Sequence, residues 1–191
     1  MFGLRKPKTS NLKPSSINAM KNIILVGFMG TGKTTVSEIL AQHFHMGLIQ
    51  TDHLIEKKEG MSINDVFSKK GEPYFREKER EAIEELSKKE NVIIDAGGGV
   101  VINEENVRDL KKNGVIFCLN AAAEEILRRT KEYTHRPLLS VSNPLSEIKK
   151  LLKKREGYYK RADYQIDTNG KSVTKVAKEI IEIYKSIVDR L

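Results

Sequence analysis

Little in this chain ties it to an oxidising compartment, a membrane or a metal cage. It has 191 residues and one cysteine, Cys118, so no internal disulfide can form and the chain reads as cytoplasmic. That cysteine lies in the apolar run Val115-Ile116-Phe117-Cys118-Leu119, which reads as a buried strand with the thiol as a small apolar filler. No run of about 18 apolar residues occurs, so there is no candidate membrane-spanning helix. Residues 1–20 lack the apolar segment of a secretory signal. Histidine is scarce: His43, His45, His53 and His135 have no metal-ligand spacing, and His43 and His45 read as surface residues near a helix end. No internal repeat is present.

Acidic residues are also short, 26 against 34 lysines and arginines, for a formal net charge of +8. The distribution excludes the simplest nucleic-acid reading. Arg5, Lys6, Lys8 and Lys13 stand in residues 1–20 without an acid, so half of the excess lies in that tail. Elsewhere cations alternate with acids, as in Arg76-Glu77-Lys78-Glu79-Arg80-Glu81, the pattern of a solvated helix face. Residues 1–20, rich in Ser, Asn, Pro and Lys, read as a flexible extension. An upstream start ahead of a domain beginning near Met20 is favoured over a short organelle-targeting peptide. Hydrophobic residues make up 39% of the chain, enough for one compact domain over residues 21–191. No long exposed apolar stripe is evident, so a monomer is expected, with no membrane or nucleic-acid partner.

Short apolar strands and helical stretches alternate from Lys21 onward. Strands are expected at 22–27, 48–51, 91–95, 115–119 and 164–167, and helices at 33–44, 62–70, 73–89, 103–113, 122–130, 145–159 and 173–191. Ser62, with Asp65 three residues on, is an N-cap signature, and Gly114 suits a helix C-cap. Residues 131–144 break the periodicity. This alternation predicts an α/β fold, a three-layer sandwich around a five-stranded parallel sheet.

Gly27-Phe28-Met29-Gly30-Thr31-Gly32-Lys33-Thr34 follows the first strand and opens the first helix, matching G-x-x-x-x-G-K-[ST]. Glycines let backbone N–H groups turn around phosphate oxygens, and the helix directs its positive end at the same anion. Lys33 can reach the β- and γ-phosphates, and the Thr34 hydroxyl is a hard oxygen ligand for Mg²⁺. Gly30, Thr31, Gly32, Lys33, Thr34 and Thr35 are the candidate ATP-binding set.

An acceptor must be sought elsewhere, because the loop alone does not distinguish a kinase from a switch protein. Asp52 ends the second strand, where a carboxylate can accept the proton of an attacking hydroxyl; alternatively it N-caps a helix beginning at His53. Arg76 can hold a carboxylate through two parallel bonds with Glu79 orienting it, or belong to an ordinary charged face. Gly97-Gly98-Gly99 after the third strand implies close backbone approach or unusual dihedrals. Arg136, within Tyr133-Thr134-His135-Arg136-Pro137, is placed to fold over phosphates from a lid, or is a chance surface arginine. Tyr158 and Tyr159 read as packing residues.

In order and spacing, these residues resemble the shikimate kinase family from about Lys21 to the C-terminus. The marks are the loop at 27–34, Asp52 followed by Leu54-Ile55-Glu56, Gly71-Glu72 with Phe75-Arg76, Gly97-Gly98-Gly99, Arg136-Pro137-Leu138-Leu139, and Arg155 with Tyr159-Lys160-Arg161-Ala162-Asp163. The resemblance implies a P-loop kinase that phosphorylates shikimate with ATP and Mg²⁺ on the route to chorismate and aromatic amino acids. Asp52 would bind shikimate and act as base, and Lys33 and Arg136 would offset charge at the phosphates. Arg76 and Arg155 would clamp the carboxylate with Glu79 in support, and the three glycines would line the pocket. Arg129 would pack on adenine, Asp167-Thr168-Asn169 would start the adenine loop, and a lid at about 131–146 would close. In one departure, the family's first acid of D-x-D after the second strand is Gln50 here, while Asp95 stands where the family usually carries a small residue. Thr34 and Asp95 are therefore the expected metal-shell pair.

Overall fold

The computed structural model describes residues 21–130 and 142–190. In chain order the elements are β1 (Asn22–Gly27), α1 (Lys33–Phe44), β2 (Gly47–Gln50), α2 (Thr51–Glu59), α3 (Ile63–Leu86), β3 (Val92–Asp95), a 3₁₀ turn (Val100–Ile102), α4 (Glu104–Asn113), β4 (Gly114–Asn120), α5 (Ala123–Thr130), α6 (Pro144–Tyr159), β5 (Tyr164–Asp167) and α7 (Val173–Val188). All four strand pairings are parallel, and the order across the sheet is β2-β3-β1-β4-β5. The expected α/β sandwich with its five-stranded sheet is the fold.

The alternating direction of strand side chains splits the core into two layers. On one face Ile24, Val26, Ile94 and Ile116 pack with Ile83 and Leu86 of α3, Leu110 of α4, Ile126 of α5 and Ile148 of α6. On the other Ile23, Leu25, Ile93 and Phe117 pack with Val36 and Leu40 of α1 and Ile180 and Tyr184 of α7. Each such aliphatic side chain contributes roughly 1.5–3 kcal/mol when fully buried. A smaller cluster, Ile55, Val66, Phe75 and Ala82, joins α2 to α3 away from the sheet. β1 lies between β3 and β4, so the loop after it sits at the centre of the strands' C-terminal edge, where ligands of open α/β sheets bind.

One expectation is corrected and two are refined. The second strand ends at Gln50, and Thr51 already opens α2. The helices expected at 62–70 and 73–89 are both present as the two halves of α3, separated at Gly71, whose φ of 83° and ψ of 169° are not helical. Ser62 caps α3 as anticipated, its side chain accepting the Asp65 N–H. Gly114 is the C-cap of α4 as expected, in an extended conformation with φ −152° that leads straight into β4. Glycine is needed there because a Cβ would collide with Ile24 Cδ1 and stand 3.0 Å from the Leu110 carbonyl oxygen.

Candidate active site

The chain leaves β1 through the glycine-rich loop, with Gly27, Gly30 and Gly32 at positive φ, and enters α1 at Lys33. Gly32 caps α1 without a side-chain bond, and no acid stands in the first turn, so its N–H groups face the loop unopposed. Thr31 Oγ1 donates to the Phe28 carbonyl at 2.8 Å and pins the loop from within. Lys33 Nζ lies over the loop, donating to the Gly27 and Phe28 carbonyl oxygens at 3.0 and 3.4 Å. Thr34 and Thr35 are exposed on the first turn. The Thr34 hydroxyl donates to Asp95 Oδ2 at 2.7 Å, and Gln50 is the Cα partner of Asp95 across the β2–β3 pairing.

Beyond the loop lies a cleft of about 320 Å³ whose walls include Thr31, Gly32, Arg129, Thr168, Lys171 and Val173. Arg129 spans it: Nη1 donates to Thr168 Oγ1 at 3.0 Å and to the Gly30 carbonyl at 3.4 Å, Nη2 to the Thr168 carbonyl at 2.8 Å, while Glu125 holds Nε. The phosphate loop and the turn after β5 are thereby tied through one guanidinium.

On the other side of the loop, the three glycines after β3 are each crowded by a different neighbour. A Cβ on Gly97 would stand 3.3 Å from Asp52 Oδ1 and 3.4 Å from Glu79 Oε1. One on Gly98 would stand 2.7 Å from the Gly27 carbonyl oxygen, and one on Gly99 would collide with the Arg76 guanidinium. None of the three has positive φ, so close approach, not an unusual dihedral, requires the glycines. Asp52 is exposed in the first turn of α2; Gln50 holds the N-cap position, which removes the capping alternative for Asp52.

Glu79 is 3% exposed and accepts from Arg76 Nη1 at 2.8 Å, and Glu72 accepts from the same guanidinium one turn earlier. Burial pushes the Glu79 carboxyl up from its ordinary pKa, and Arg76 opposes that shift. Burial works against the charge on Arg76, but Glu79 and then Glu72 leave its pKa raised. Arg155, on α6, faces the same region, its guanidinium 5.7 Å from the centre of the Phe28 ring. A carboxylate, two arginines and a glycine-lined floor thus meet against the back of a phosphate loop.

A shikimate kinase family profile matches residues 29–185. The chain belongs to the shikimate kinase family. It is 47% identical over 171 residues to a shikimate kinase of Caldanaerobacter subterraneus subsp. tengcongensis, covering 90% of this chain and all of that one. It is 48% identical over 168 residues to a shikimate kinase of Thermodesulfovibrio yellowstonii, covering 88% and 97%. Among solved structures, shikimate kinase from Acinetobacter baumannii in complex with shikimate superposes with a TM-score of 0.83 at 37% identity, over 87% of this chain and 94% of that one.

Within the described residues, residues 30–35 form the loop and the head of α1, Arg129 lines the cleft, and Asp52, Arg76 and Glu79 surround Gly97, Gly98 and Gly99 on the other side; Arg136 and most of the expected lid at 131–146 lie outside the described residues. The sequence reading of this shikimate kinase family member missed three features. Thr51 Oγ1 accepts the Gly97 N–H at 3.1 Å and donates to the Asp95 carbonyl, tying the glycine run to α2; its adjacency to Asp52 was the available signal. Lys171 and Val173 reach the cleft only because α7 begins there, and Tyr159 abuts Gly98 only through the fold.

Proposed function

We propose that the chain transfers the γ-phosphoryl group of ATP directly to a hydroxyl of shikimate, giving shikimate 3-phosphate and ADP. The observation that carries this reading is the contact of Gly98 with Gly27. It sets the acid-binding cluster against the phosphate loop with only backbone between them. ATP would lie along Gly30, Thr31, Gly32, Lys33, Thr34 and Thr35, with its base in the cleft beside Arg129 and Thr168. Shikimate would lie over Gly97, Gly98 and Gly99, its carboxylate held by Arg76 and Arg155 and Arg76 held by Glu79. Asp52 accepts the hydroxyl proton as the new O–P bond forms and the bond to the β,γ-bridging oxygen breaks. Lys33, joined by Arg136 from a closing lid, offsets the charge that develops.

The donor set beside the loop fits Mg²⁺: one hydroxyl and one carboxylate already in contact, suited to an ion that keeps waters and phosphate oxygens as its other ligands. Bound Mg²⁺ neutralises phosphate charge. Thr34 would supply a lone pair while its O–H goes on donating to Asp95. With an amide at Gln50, the carboxylate has moved one strand over, to its register partner Asp95. Asp95→Ala is expected to raise the Mg²⁺ concentration needed for half-maximal turnover and to weaken Mn²⁺ binding followed by electron spin resonance. Gln50→Asp in that background should restore both, and an unchanged Mg²⁺ dependence in Asp95→Ala refutes the exchange.

A cytoplasmic monomer completes the proposal; among the described residues no helix is long and apolar enough to cross a membrane. The decisive assay is coupled ADP release with Mg-ATP and shikimate, quinate, gluconate or AMP in turn. Release dependent on shikimate is expected. Folded protein that binds ATP but turns over none of the four overturns the reading.

A further inference from the structure

Tyr159 is one of two side chains among the described residues, with Ser37, whose buried hydroxyl the proposed reaction leaves unused. It closes α6, four residues after Arg155, so the two side chains share a helix face. Its ring is 5% exposed and belongs to the main core beside the sheet. Its hydroxyl nevertheless makes no hydrogen bond of full geometry among the described residues, with Arg155 the donor at hand. A buried hydroxyl left unpaired is destabilising, and the sequence avoids that cost with phenylalanine elsewhere in this core, at Phe28.

The hydroxyl is aimed at the acceptor side, 3.4 Å from the point where a Cβ on Gly98 would stand. Arg155 lies over Phe28 on the same side. Burial pushes the phenol's pKa up, while Arg155, and more weakly Arg76, pull it back. The oxygen therefore stands in the field of both arginines assigned to the acceptor's carboxylate.

We infer that Tyr159 is a positioning residue for the acceptor: its hydroxyl oxygen accepts a hydrogen bond from Arg155 and fixes the direction from which that guanidinium meets the acceptor's carboxylate. The inference rests on the reading of Arg155 as a carboxylate clamp. It assigns the polar atom of Tyr159 to binding and its ring to packing. A hydrogen bond to a charged group contributes about 1.5–3 kcal/mol, so its loss should appear as roughly a tenfold or larger change.

The test is a double-mutant cycle with Tyr159→Phe, Arg155→Ala and the pair, measuring KM for shikimate, KM for ATP, kcat and the thermal midpoint without ligands. Tyr159→Phe keeps the ring and is expected to raise KM for shikimate about tenfold, leave KM for ATP within twofold, and leave the midpoint unchanged or higher. In the Arg155→Ala background the same change should add nothing. A purely structural tyrosine would lower the midpoint and leave KM for shikimate alone, which overturns the inference. A full tenfold loss persisting in the Arg155→Ala background also overturns it, because the hydroxyl then acts on the acceptor directly. If Arg155→Ala alone leaves KM for shikimate unchanged, the clamp reading has failed and the inference falls with it.

Discussion

At Gly98 an added methyl group would stand 2.7 Å from a backbone oxygen that cannot swing aside, whereas at Gly99 it would meet the tip of the Arg76 side chain, which can. The two substitutions should therefore differ in kind. Gly98→Ala should lose about 1–3 kcal/mol of stability by overpacking, together with turnover, in thermal melts and the coupled assay. Gly99→Ala should keep its melting point and raise KM for shikimate by displacing Arg76. Cys118 offers another contrast: it is fully buried, and burial pushes its thiol up to about 12. Iodoacetamide at pH 8 should leave the folded protein unmodified and alkylate it at once in denaturant. Both the glycines and the cysteine were legible in the sequence, the first as a run without side chains after a strand, the second from its apolar neighbours. The hydroxyl of Tyr159 was not. Nothing local marks a tyrosine whose ring is packed and whose oxygen makes no hydrogen bond of full geometry, because both facts depend on residues about 60 positions away, such as Gly98.

Among the elements, α3 carries Arg76, the arginine proposed to hold the acceptor, and is anchored where it passes α4. Arg80 donates to Asp109 Oδ2 at 2.5 Å and to Asn106 Oδ1 at 3.4 Å, Lys112 donates to the other Asp109 oxygen, and Asn106 donates to the Val100 carbonyl just after the glycine run. Bonds from Lys112 and then Arg80 hold the Asp109 carboxyl down at about 2, below its ordinary value. A depressed carboxylate stabilises the fold above its unfolded pKa, and that contribution fades as pH falls through the folded value. Wild type should therefore be more stable than Asp109→Asn at pH 7, with the gap closing between about pH 4 and pH 2 in urea melts at stepped pH. The helices and strands themselves were read correctly wherever a cap or an apolar period was local, as at Ser62 and along β1. The error came at α2, which opens directly on the end of β2 where a strand residue was expected. Gly114 both ends α4 and begins β4, and Gly71 separates the two helices expected there.

For the whole molecule, alternating strands and helices around one sheet made the architecture legible, since β-runs separated by helices leave few alternatives to a parallel sheet. The cleft beside Arg129 was only half legible: its phosphate end is a contiguous motif, while its far wall is assembled from α5, the turn after β5 and the start of α7, all distant in sequence. ATP–Mg²⁺ at 100 times its dissociation constant should stabilise the fold by about 2.7 kcal/mol and raise the thermal midpoint by roughly 5–10 °C in calorimetry. The contact of Gly98 with Gly27 carries a consequence for that number. If the acceptor binds on one side of that contact and ATP on the other, as proposed, any effect of one on the binding of the other must be returned by the same factor. The stabilisation by ATP–Mg²⁺ measured with and without shikimate would then read that factor directly.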